Sequence, residues 1–226
     1  MPIQHDILKK YWGYDTFRPA QEEVVQPAID GVDTLAILPT GGGKSLCFQV
    51  PALCRGGVCL VISPLLALMN DQVQALRKRG LTAHAVNSSM SYREIDRVLD
   101  NCVYGIVHFL YVSPERLQNE LFQARVRKMK LSLIAVDEAH CISQWGYDFR
   151  PDYLHIGELR ALFPEVPVLA LTASATPSVV KDIQEQLKFR LPHVLSSGFA
   201  RANLSYNVLY HEDKDSKMAE ILEKMP

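Results

Sequence analysis

A short glycine-rich segment follows the apolar run Thr34–Leu38 and ends in Lys44 and Ser45. Glycines let several backbone N–H groups turn toward one anion, because no Cβ atom obstructs them. Lys44 adds a cation for the β- and γ-phosphates of a nucleotide, and the Ser45 hydroxyl is a hard oxygen ligand suited to Mg²⁺. The rest of the segment supplies backbone contacts, from Thr40, Gly41, Gly42 and Gly43.

The segment departs from the pattern G-x4-G-K-[ST] at one position, because Leu38 stands where the first glycine belongs. A helix that begins at about Ser45 would point its positive end at the same anion. A flexible surface turn is the alternative, but it does not explain Lys-Ser placed directly after the glycines. We therefore predict a phosphate-binding loop for a nucleotide.

An acidic tetrapeptide, Asp137-Glu138-Ala139-His140, comes directly after an almost continuously apolar run. A carboxylate such as Asp137 can hold Mg²⁺, usually through water, while the ion bridges phosphates. Glu138 is suited to orienting and deprotonating a water for attack on the γ-phosphate. The alternative is a pair of carboxylates on a surface helix, yet the end of an apolar strand is a costly place for unpaired charge. We predict that Asp137, Glu138 and His140 belong with Lys44 in a catalytic group.

Length and composition limit what the chain can be. The 226 residues suffice for one large or two small domains, and 48% hydrophobic residues exclude a disordered chain. The net charge of −1 does not indicate a polyanion partner, so any contact with nucleic acid must come from local patches of basic residues. The 5 cysteines are odd in number and lack CxxC spacing. No leader segment and no membrane-spanning run are apparent, and we expect a cytoplasmic protein, nucleoid-associated if bacterial.

Short apolar runs alternate with helical patterns along the chain. The strand candidates are residues 34–38, 58–63, 82–86, 106–112, 132–137 and 167–172. Continuously apolar strands of this kind suit a parallel sheet that is covered on both faces by helices. We therefore predict an α/β fold with a doubly wound, mostly parallel sheet. The motifs at 39–45, 63–72, 137–140 and 172–176 each follow a strand, so they should meet at the carboxyl edge of that sheet, where ligands bind.

The helices have recognisable starts and stops. Ser91 to Glu94 forms a capping box, and Ser113 and Thr176 each precede a proline as N-caps. Pro27 is expected to kink or end the helical pattern over 19–30. Another helix is predicted to bury a stripe of apolar residues and to stop at Gly80; the stripe consists of Leu66, Met69, Val73 and Leu76.

The glycine loop, the acidic tetrapeptide and the stretch 141–151 together resemble the RecQ family of superfamily 2 DNA helicases, from Tyr14 to about Leu204. The resemblance implies a RecA-like P-loop lobe that uses ATP and Mg²⁺. Residues 17–21 resemble the family's adenine-recognition motif. By that resemblance Gln21 reads the adenine edge, while Tyr14 and Arg18 pack on the base.

Further stretches resemble the family's DNA and coupling motifs. Residues 63–72 and 111–117 resemble motifs Ia and Ib, which implies a path for single-stranded DNA at which Ser63 grips a phosphate. The stretch 171–176 resembles motif III, which couples hydrolysis to movement. By that resemblance the hydroxyls of Thr172, Ser174 and Thr176 serve coupling, although a simple N-cap turn explains the same stretch.

Four aromatic residues interleave with charged ones directly after the acidic tetrapeptide: Trp145, Tyr147, Phe149 and Tyr153. Bases stack on aromatic rings whatever their sequence, and Arg150 adds phosphate and cation–π contact. We predict that Trp145, Phe149 and Arg150 bind DNA; the alternative is an aromatic cluster packed under a loop. Relatives often carry His where Tyr147 stands. The basic run 125–130 is more simply a solvated helix face than a DNA patch.

The resemblance also implies a domain plan. Residues 1–208 would form the first lobe, and 209–226 would begin the connection to a second RecA-like lobe that is missing here. The segment 199–204 resembles the approach to that lobe, with Ala202 in place of a usual proline. By this resemblance we expect a 3′–5′ helicase motor that acts on single-stranded and duplex-junction DNA and does not bind a membrane. The isolated lobe is expected to bind ATP weakly and not to unwind duplex DNA. The alternatives are an RNA helicase lobe and a non-catalytic nucleotide- or DNA-binding module.

Overall fold

A computed structural model describes residues 3–198, 204 and 208–223 of the chain. Within these residues, the strands form one 7-stranded sheet whose order is β3-β4-β2-β5-β6-β1-β7, with every pairing parallel. In chain order, β1 to β7 are Thr34–Ile37, Val58–Ile62, Ala83–Val86, Phe109–Val112, Leu131–Val136, Val168–Thr172 and His193–Ser196. The predicted α/β class is confirmed, and the described sheet is wholly rather than mostly parallel.

The helices cover both faces of the sheet. In chain order, α1 to α9 of the described residues are Ile3–Trp12, Pro19–Asp30, Lys44–Arg55, Leu66–Lys78, Tyr92–Val103, Glu120–Val126, His155–Leu162, Pro177–Gln186 and Lys214–Glu223. Helices α2, α3 and α4 pack on one face, and α5, α6, α7 and α8 pack on the other. Among the described helices, none has both the length and the apolar character needed to cross a bilayer.

Strand β5 illustrates why the apolar runs are continuous. Its side chains point alternately to the two faces, so Ile134 and Val136 join one core cluster while Leu133 and Ala135 join the other. Both faces are buried, and polar alternation along such a strand would therefore bury unpaired polar groups. The same reasoning applies to β1 and β2, in which every residue is buried.

Most of the predicted helix signals form as expected. The Ser91 hydroxyl accepts a hydrogen bond from the backbone N–H of Glu94, and the Glu94 carboxylate accepts one from the backbone N–H of Ser91, which completes the capping box. Thr176 caps α8 by accepting from the Val179 N–H. Ser113 precedes a 3₁₀ helix, Pro114–Gln118, and makes no side-chain cap there.

Two predictions about helices are wrong in part. Pro27 does not end α2, which continues to Asp30, because a proline within the last turn removes only one backbone donor. Leu66 does not belong to the buried stripe of α4; it is 42% exposed, whereas Met69, Val73 and Leu76 are buried. Leu66 lies at the first position of the helix, where its side chain faces the carboxyl edge of the sheet rather than the core.

A buried carboxylate fixes the start of β1. Asp33 accepts hydrogen bonds from the backbone N–H of Val168 and of Arg190, each at 2.9 Å, and from the guanidinium of Arg160. The side chains of Asp33 and Arg160 are 1% and 2% exposed. This cluster joins β1 to its neighbours β6 and β7, and therefore holds the strand that leads into the glycine loop.

The carboxyl ends of the central strands continue as hydrogen-bonded loops. The Leu38 N–H donates to Thr172 O at 3.0 Å, and the Asp137 N–H donates to Ile62 O at 2.9 Å. Each loop therefore leaves the sheet beside its neighbour. As predicted, the segments after β1, β2, β5 and β6 converge at one edge.

Candidate active site

The glycine loop forms a cradle that only glycine fits. Gly43 has φ +78°, and a Cβ atom there would lie 2.2 Å from the Gln21 amide nitrogen; a Cβ at Gly42 would lie 2.8 Å from Pro39 O. Gly41 also has positive φ, at +79°. The loop is open to solvent at Thr40 and Gly41. Helix α3 begins at Lys44, so its N–H groups and positive end face the same space.

The side chains at the end of the loop are available for a ligand. The Lys44 ammonium donates to Leu38 O at 3.2 Å, which folds it back over the loop. Among the described contacts, none occupies the Ser45 hydroxyl. The charge of Lys44 favours the ionised forms of both Asp137 and Glu138. The loop and the acidic pair therefore lie close together at one site.

The residues expected to recognise adenine border the loop. Arg18 donates to Gly41 O at 2.8 Å, and Tyr14 is 57% exposed beside it in sequence. Gln21 is buried: its amide oxygen accepts from the Arg18 N–H at 3.0 Å, and its amide nitrogen faces Gly43 O at 3.3 Å. The Gln21 amide thus holds the glycine loop in this structure, and adenine recognition by it, which stays a prediction, requires an exchange of partners.

The acidic pair is held by its backbone and by its neighbours. Asp137 Oδ2 accepts from the Ser63 hydroxyl at 3.2 Å, and its Oδ1 accepts from the Glu138 N–H at 3.1 Å. Tyr153 donates its hydroxyl to Asp137 O at 2.9 Å from a fully buried position. Glu138 has φ +47°, a left-handed conformation that is unusual for a residue with a side chain and is typical of functional sites.

Burial governs the ionisation of this pair. It raises the pKa of Asp137, and the Ser63 hydroxyl, the Glu138 N–H and Lys44 oppose the rise. Burial and then the charge of Asp137 raise the pKa of Glu138. A carboxylate with a raised pKa is a stronger base than an ordinary glutamate, provided that it is still ionised.

Asp137 and Ser45 fit the requirements of a Mg²⁺ ion. Both offer hard oxygen atoms, which this ion prefers. Asp137 is oriented by two donors, and the Ser45 oxygen is free of described partners, at the start of a helix whose positive end suits phosphates. The Lys44 ammonium is bonded to Leu38 O at the start of the glycine loop, and its charge acts on Asp137. The donor set is therefore consistent with a phosphate-bound magnesium ion.

His140 joins the acidic tetrapeptide to the end of β6. Its Nδ1 lies 3.0 Å from Thr172 Oγ1 and 3.4 Å from a Glu138 carboxylate oxygen. Because the Thr172 hydroxyl donates to Ser174 O at 3.0 Å, Nδ1 is the donor toward Thr172. Burial lowers the pKa of His140, which favours the neutral ring. Thr172 therefore contacts the acidic motif as expected.

Ser174 and Thr176 do not contact the acidic motif. The exposed Ser174 contributes its backbone to the turn, since its carbonyl accepts from Thr172 and its N–H donates to the same hydroxyl. The Thr176 hydroxyl caps α8. The capping alternative thus accounts for Thr176, while a coupling role for either residue stays a prediction.

The aromatic residues after the tetrapeptide separate into two groups. Residues 144–150, the aromatic loop, expose Trp145 and Tyr147 at 76% and 82%, with Phe149 and Arg150 half-buried. The Tyr147 ring stacks on His140 at 4.8 Å between centroids. Tyr153 is instead a fully buried core residue, so it cannot stack on a base. The alternative of core packing is correct for Tyr153, and DNA binding by Trp145, Phe149 and Arg150 stays a prediction.

Cys141 ties the aromatic loop to the acidic motif. The thiol lies 3.6 Å from Asp148 Oδ2, and this carboxylate pairs with Arg150 at 3.3 Å. One ligand atom each of His140, Cys141 and Asp148 lie within 4.8 Å of one another. Burial raises the pKa of the Cys141 thiol to about 12, which disfavours the thiolate that a metal requires. We interpret this trio as a hydrogen-bonded cluster.

Ser63 is placed differently from the prediction. The residue is 1% exposed, and its hydroxyl is committed to Asp137, so the prediction of a direct grip on DNA does not fit this geometry. An open cavity of about 610 Å³ lies beyond it at the same edge, lined by residues that include Pro64, Ser88, Ser113 and Arg116. Neither Ser88 nor Arg116 was singled out from the sequence as a site residue, because a polar loop residue carries no spacing signal by itself.

The basic run 125–130 begins at the end of α6, where Arg125 is paired with acidic residues, while its other basic residues are exposed. Arg125 pairs with Asp96 at 2.7 Å and with Asp100 at 2.9 Å, and Val126 and Met129 are buried. The segment 199–204 lies outside the described residues except for Leu204, which is exposed.

These features define a class of protein, and the comparisons agree. The chain belongs to the DEAD/DEAH box helicase family, which matches residues 18–183. Among curated proteins it is 45% identical to the ATP-dependent DNA helicase RecQ of Pasteurella multocida, over 90% of this chain and 32% of that protein. It is 44% identical to the RecQ helicase of Bacillus subtilis, over 92% of this chain and 36% of that protein. The RecQ resemblance is thereby confirmed.

The chain spans about a third of the length of these relatives. Solved structures agree on the fold. The helicase domain of Pyrococcus furiosus Hef superposes with a TM-score of 0.63 at 22% identity, over 87% of this chain and 40% of that one. The DUF1998 helicase MrfA gives a TM-score of 0.69 at 17% identity, over 98% of this chain and 36% of that one. The RecA-like helicase fold is therefore confirmed.

Proposed function

We propose that this chain is the nucleotide-binding motor lobe of an ATP-dependent DNA helicase, with ATP and Mg²⁺ bound between the glycine loop and the acidic pair. The observation that carries the proposal is the convergence at one edge of the sheet of the glycine loop, which ends in Lys44, and the acidic pair, whose ionised forms the charge of Lys44 favours. One site therefore combines a phosphate cradle, hard oxygen ligands and a general base.

Each residue has a distinct task in this proposal. The N–H groups of residues 41–45 and the Lys44 ammonium bind the β- and γ-phosphates. Ser45 and Asp137 would hold Mg²⁺, which neutralises charge that develops on the phosphates when it is bound. Glu138 orients a water in line with the γ-phosphate and takes its proton. His140, neutral and bonded to Thr172, keeps the carboxylate of Glu138 oriented.

DNA would lie along the carboxyl edge of the sheet. Trp145 is exposed enough to stack on a base, and Arg150, half-buried in the same loop, would contact a phosphate. Because the His140 ring packs under Tyr147, a base that moves the aromatic loop also moves the acidic motif. This arrangement supports coupling between single-stranded or junction DNA and hydrolysis. DNA as the partner is also the basis for the expected cytoplasmic or nucleoid location.

The complete motor would need a second RecA-like lobe. We assign residues 1–208 to the first lobe and 209–226 to the start of the connection. Helix α9 has no buried residue, and its Met218 and Leu222 are 58% and 62% exposed, which supports packing against a further part of a longer protein. An arginine finger from that lobe would contribute about 10³–10⁵ in rate. The isolated lobe should therefore bind ATP weakly, hydrolyse it poorly and not unwind DNA, and 3′–5′ polarity rests on the family resemblance.

The test is ATPase activity, stimulated by single-stranded DNA or by RNA of the same sequence, in a protein that carries both lobes. We expect strong stimulation by DNA, abolished by Lys44→Ala and unchanged by Lys78→Ala at the exposed end of α4. Stimulation by RNA alone would instead identify an RNA motor. Nucleotide binding without any hydrolysis would identify a non-catalytic module.

A further inference from the structure

The helix that borders the open cavity at the carboxyl edge of the sheet, α4, is attached to the nucleotide site at two places. The first attachment is Ser63, the residue before Pro64 at the end of β2. Its N–H donates to Val112 O at 3.1 Å, and its hydroxyl donates to Asp137 at 3.2 Å. Because Ser63 is 1% exposed, this hydroxyl serves the carboxylate and not a ligand in solvent.

The second attachment is a buried polar bridge further along α4. Tyr111, fully buried on β4, donates its hydroxyl to the Gln72 side chain at 3.0 Å. Gln49, which is 5% exposed on α3 and one turn after Ser45, lies beside the same tyrosine and lines one small cavity together with Gln72 and Ser45. The bridge therefore joins the phosphate-loop helix to α4 through β4.

Burying these polar groups in the core costs more free energy than burying apolar side chains would. The Tyr111 ring belongs to an otherwise apolar cluster that contains Phe109 and Met69. Burying a hydroxyl or an amide costs free energy unless it is hydrogen-bonded, and apolar side chains of similar size would fill the same space without that cost. What the hydrogen bonds add is a fixed distance and orientation between the elements that they join.

The segment between the two attachments, residues 64–71, forms one edge of the cavity and is called the cavity edge below. Pro64 and Leu66 line the cavity of about 610 Å³, opposite Ser113 and Arg116. Leu65, Leu66 and Leu68 are 44%, 42% and 44% exposed, so little packing of their own holds them in place. The edge is therefore held by the buried Met69 and by its attachments at Ser63 and Gln72.

We propose that Ser63 and the Gln49–Tyr111–Gln72 bridge are positioning residues that transmit nucleotide binding to the cavity edge at residues 64–71. The inference rests on the proposed function. A nucleotide that engages Asp137 and the start of α3 then restrains the edge from both attachments. By thermodynamic linkage, a ligand in the cavity must favour nucleotide binding by the same factor.

The experiment is hydrogen exchange of the 226-residue chain with and without Mg²⁺ and a non-hydrolysable ATP analogue. In the wild type we expect slower exchange at residues 41–46 and, about 3- to 10-fold, at residues 65–71. In Ser63→Ala or Tyr111→Phe we expect protection at 41–46 to remain and protection at 65–71 to disappear. Ser63→Ala should also raise the Mg²⁺ concentration for half-maximal analogue binding about tenfold, as loss of an outer partner of a metal ligand does.

Ser113→Ala is the matched control, since Ser113 follows β4 as Ser63 follows β2 but makes no side-chain cap. It should behave as the wild type. If the wild type is protected at 41–46 but not at 65–71, the inference is wrong and the proposed function stands. If both variants keep protection at 65–71, the inference is also wrong. If no protection appears at 41–46 under saturating analogue, the proposed function fails and the inference fails with it.

Discussion

Replacing Asp33 by alanine should destabilise the whole domain, because its carboxylate is the buried anchor of the strand that carries the phosphate loop. The change leaves the Arg160 guanidinium, 2% exposed, without its carboxylate partner. Removing one partner of a buried ion pair costs about 3–5 kcal/mol. It also frees the buried Val168 N–H, which was bonded at 2.9 Å, at a further cost of about 1–3 kcal/mol. The two costs would add to about 4–8 kcal/mol. Because Arg160 keeps its hydrogen bonds to the carbonyls of Phe163 and Pro164, the lower end of each range applies, and we expect a total near 4 kcal/mol.

The assay is urea unfolding of the 226-residue chain followed by circular dichroism. With an m-value of about 3 kcal/mol/M, the loss lowers the midpoint by about 1–1.7 M. Asp15→Ala is the matched control: Asp15 pairs with Lys9 at 2.8 Å, but both side chains are largely exposed, and the midpoint should hardly move. Arg160→Met added to Asp33→Ala should recover part of the loss, because it removes the unpaired cation.

A loss below about 1 kcal/mol for Asp33→Ala would refute this reasoning, since a buried guanidinium cannot lose the one carboxylate that pairs with it among the described residues at so small a cost. Recovery by the second substitution separates an electrostatic cause from simple loss of packing. If Arg160→Met instead adds its own full cost, the two residues are not coupled.

Two further predictions concern the site itself. Gly43→Ala places a methyl group 2.2 Å from the Gln21 amide nitrogen at a residue whose φ is +78°. Binding of a fluorescent ATP analogue should therefore fall more than tenfold, while the circular dichroism spectrum is unchanged. Binding within twofold of wild type would contradict the described loop. Trp145→Ala should weaken single-stranded DNA binding about 5- to 100-fold in fluorescence anisotropy, as loss of one stacked base does. Because Trp145 is 76% exposed, the melting temperature of the protein should not fall. Tyr104→Ala, equally exposed at the end of α5, should leave DNA binding unchanged, and equal losses in both variants would argue against a specific site at Trp145.

Much of the fold could be predicted from sequence, because burial on both faces leaves a direct signal. Strands β1 to β6 are apolar throughout or nearly so, and each was expected within a few residues of its bounds. Strand β7, His193–Ser196, was missed. It lies at the sheet edge, pairs only with β1 among the described strands and alternates between half-buried and exposed residues. An edge strand of this kind has the composition of a loop.

The candidate site was predictable where the chemistry is local. Lys44 follows its glycines and Glu138 follows Asp137, so spacing alone is informative. The contacts that orient them are long-range: Ser63 lies 74 residues from Asp137, and Thr172 lies 32 residues from His140. Tyr153 resembled its exposed neighbours because composition cannot distinguish a buried aromatic residue from a stacking one. Only the packing of the 3₁₀ helix Pro151–Leu154 against the core separates them.

The most direct test of the central claim is a crystal structure of the chain with a non-hydrolysable ATP analogue and Mn²⁺ in place of Mg²⁺, with the ion located by its anomalous signal. We predict the triphosphate in the glycine cradle, in contact with Lys44, and an anomalous peak between the Ser45 hydroxyl and the Asp137 carboxylate. A bound analogue whose metal lies away from both residues would contradict the account.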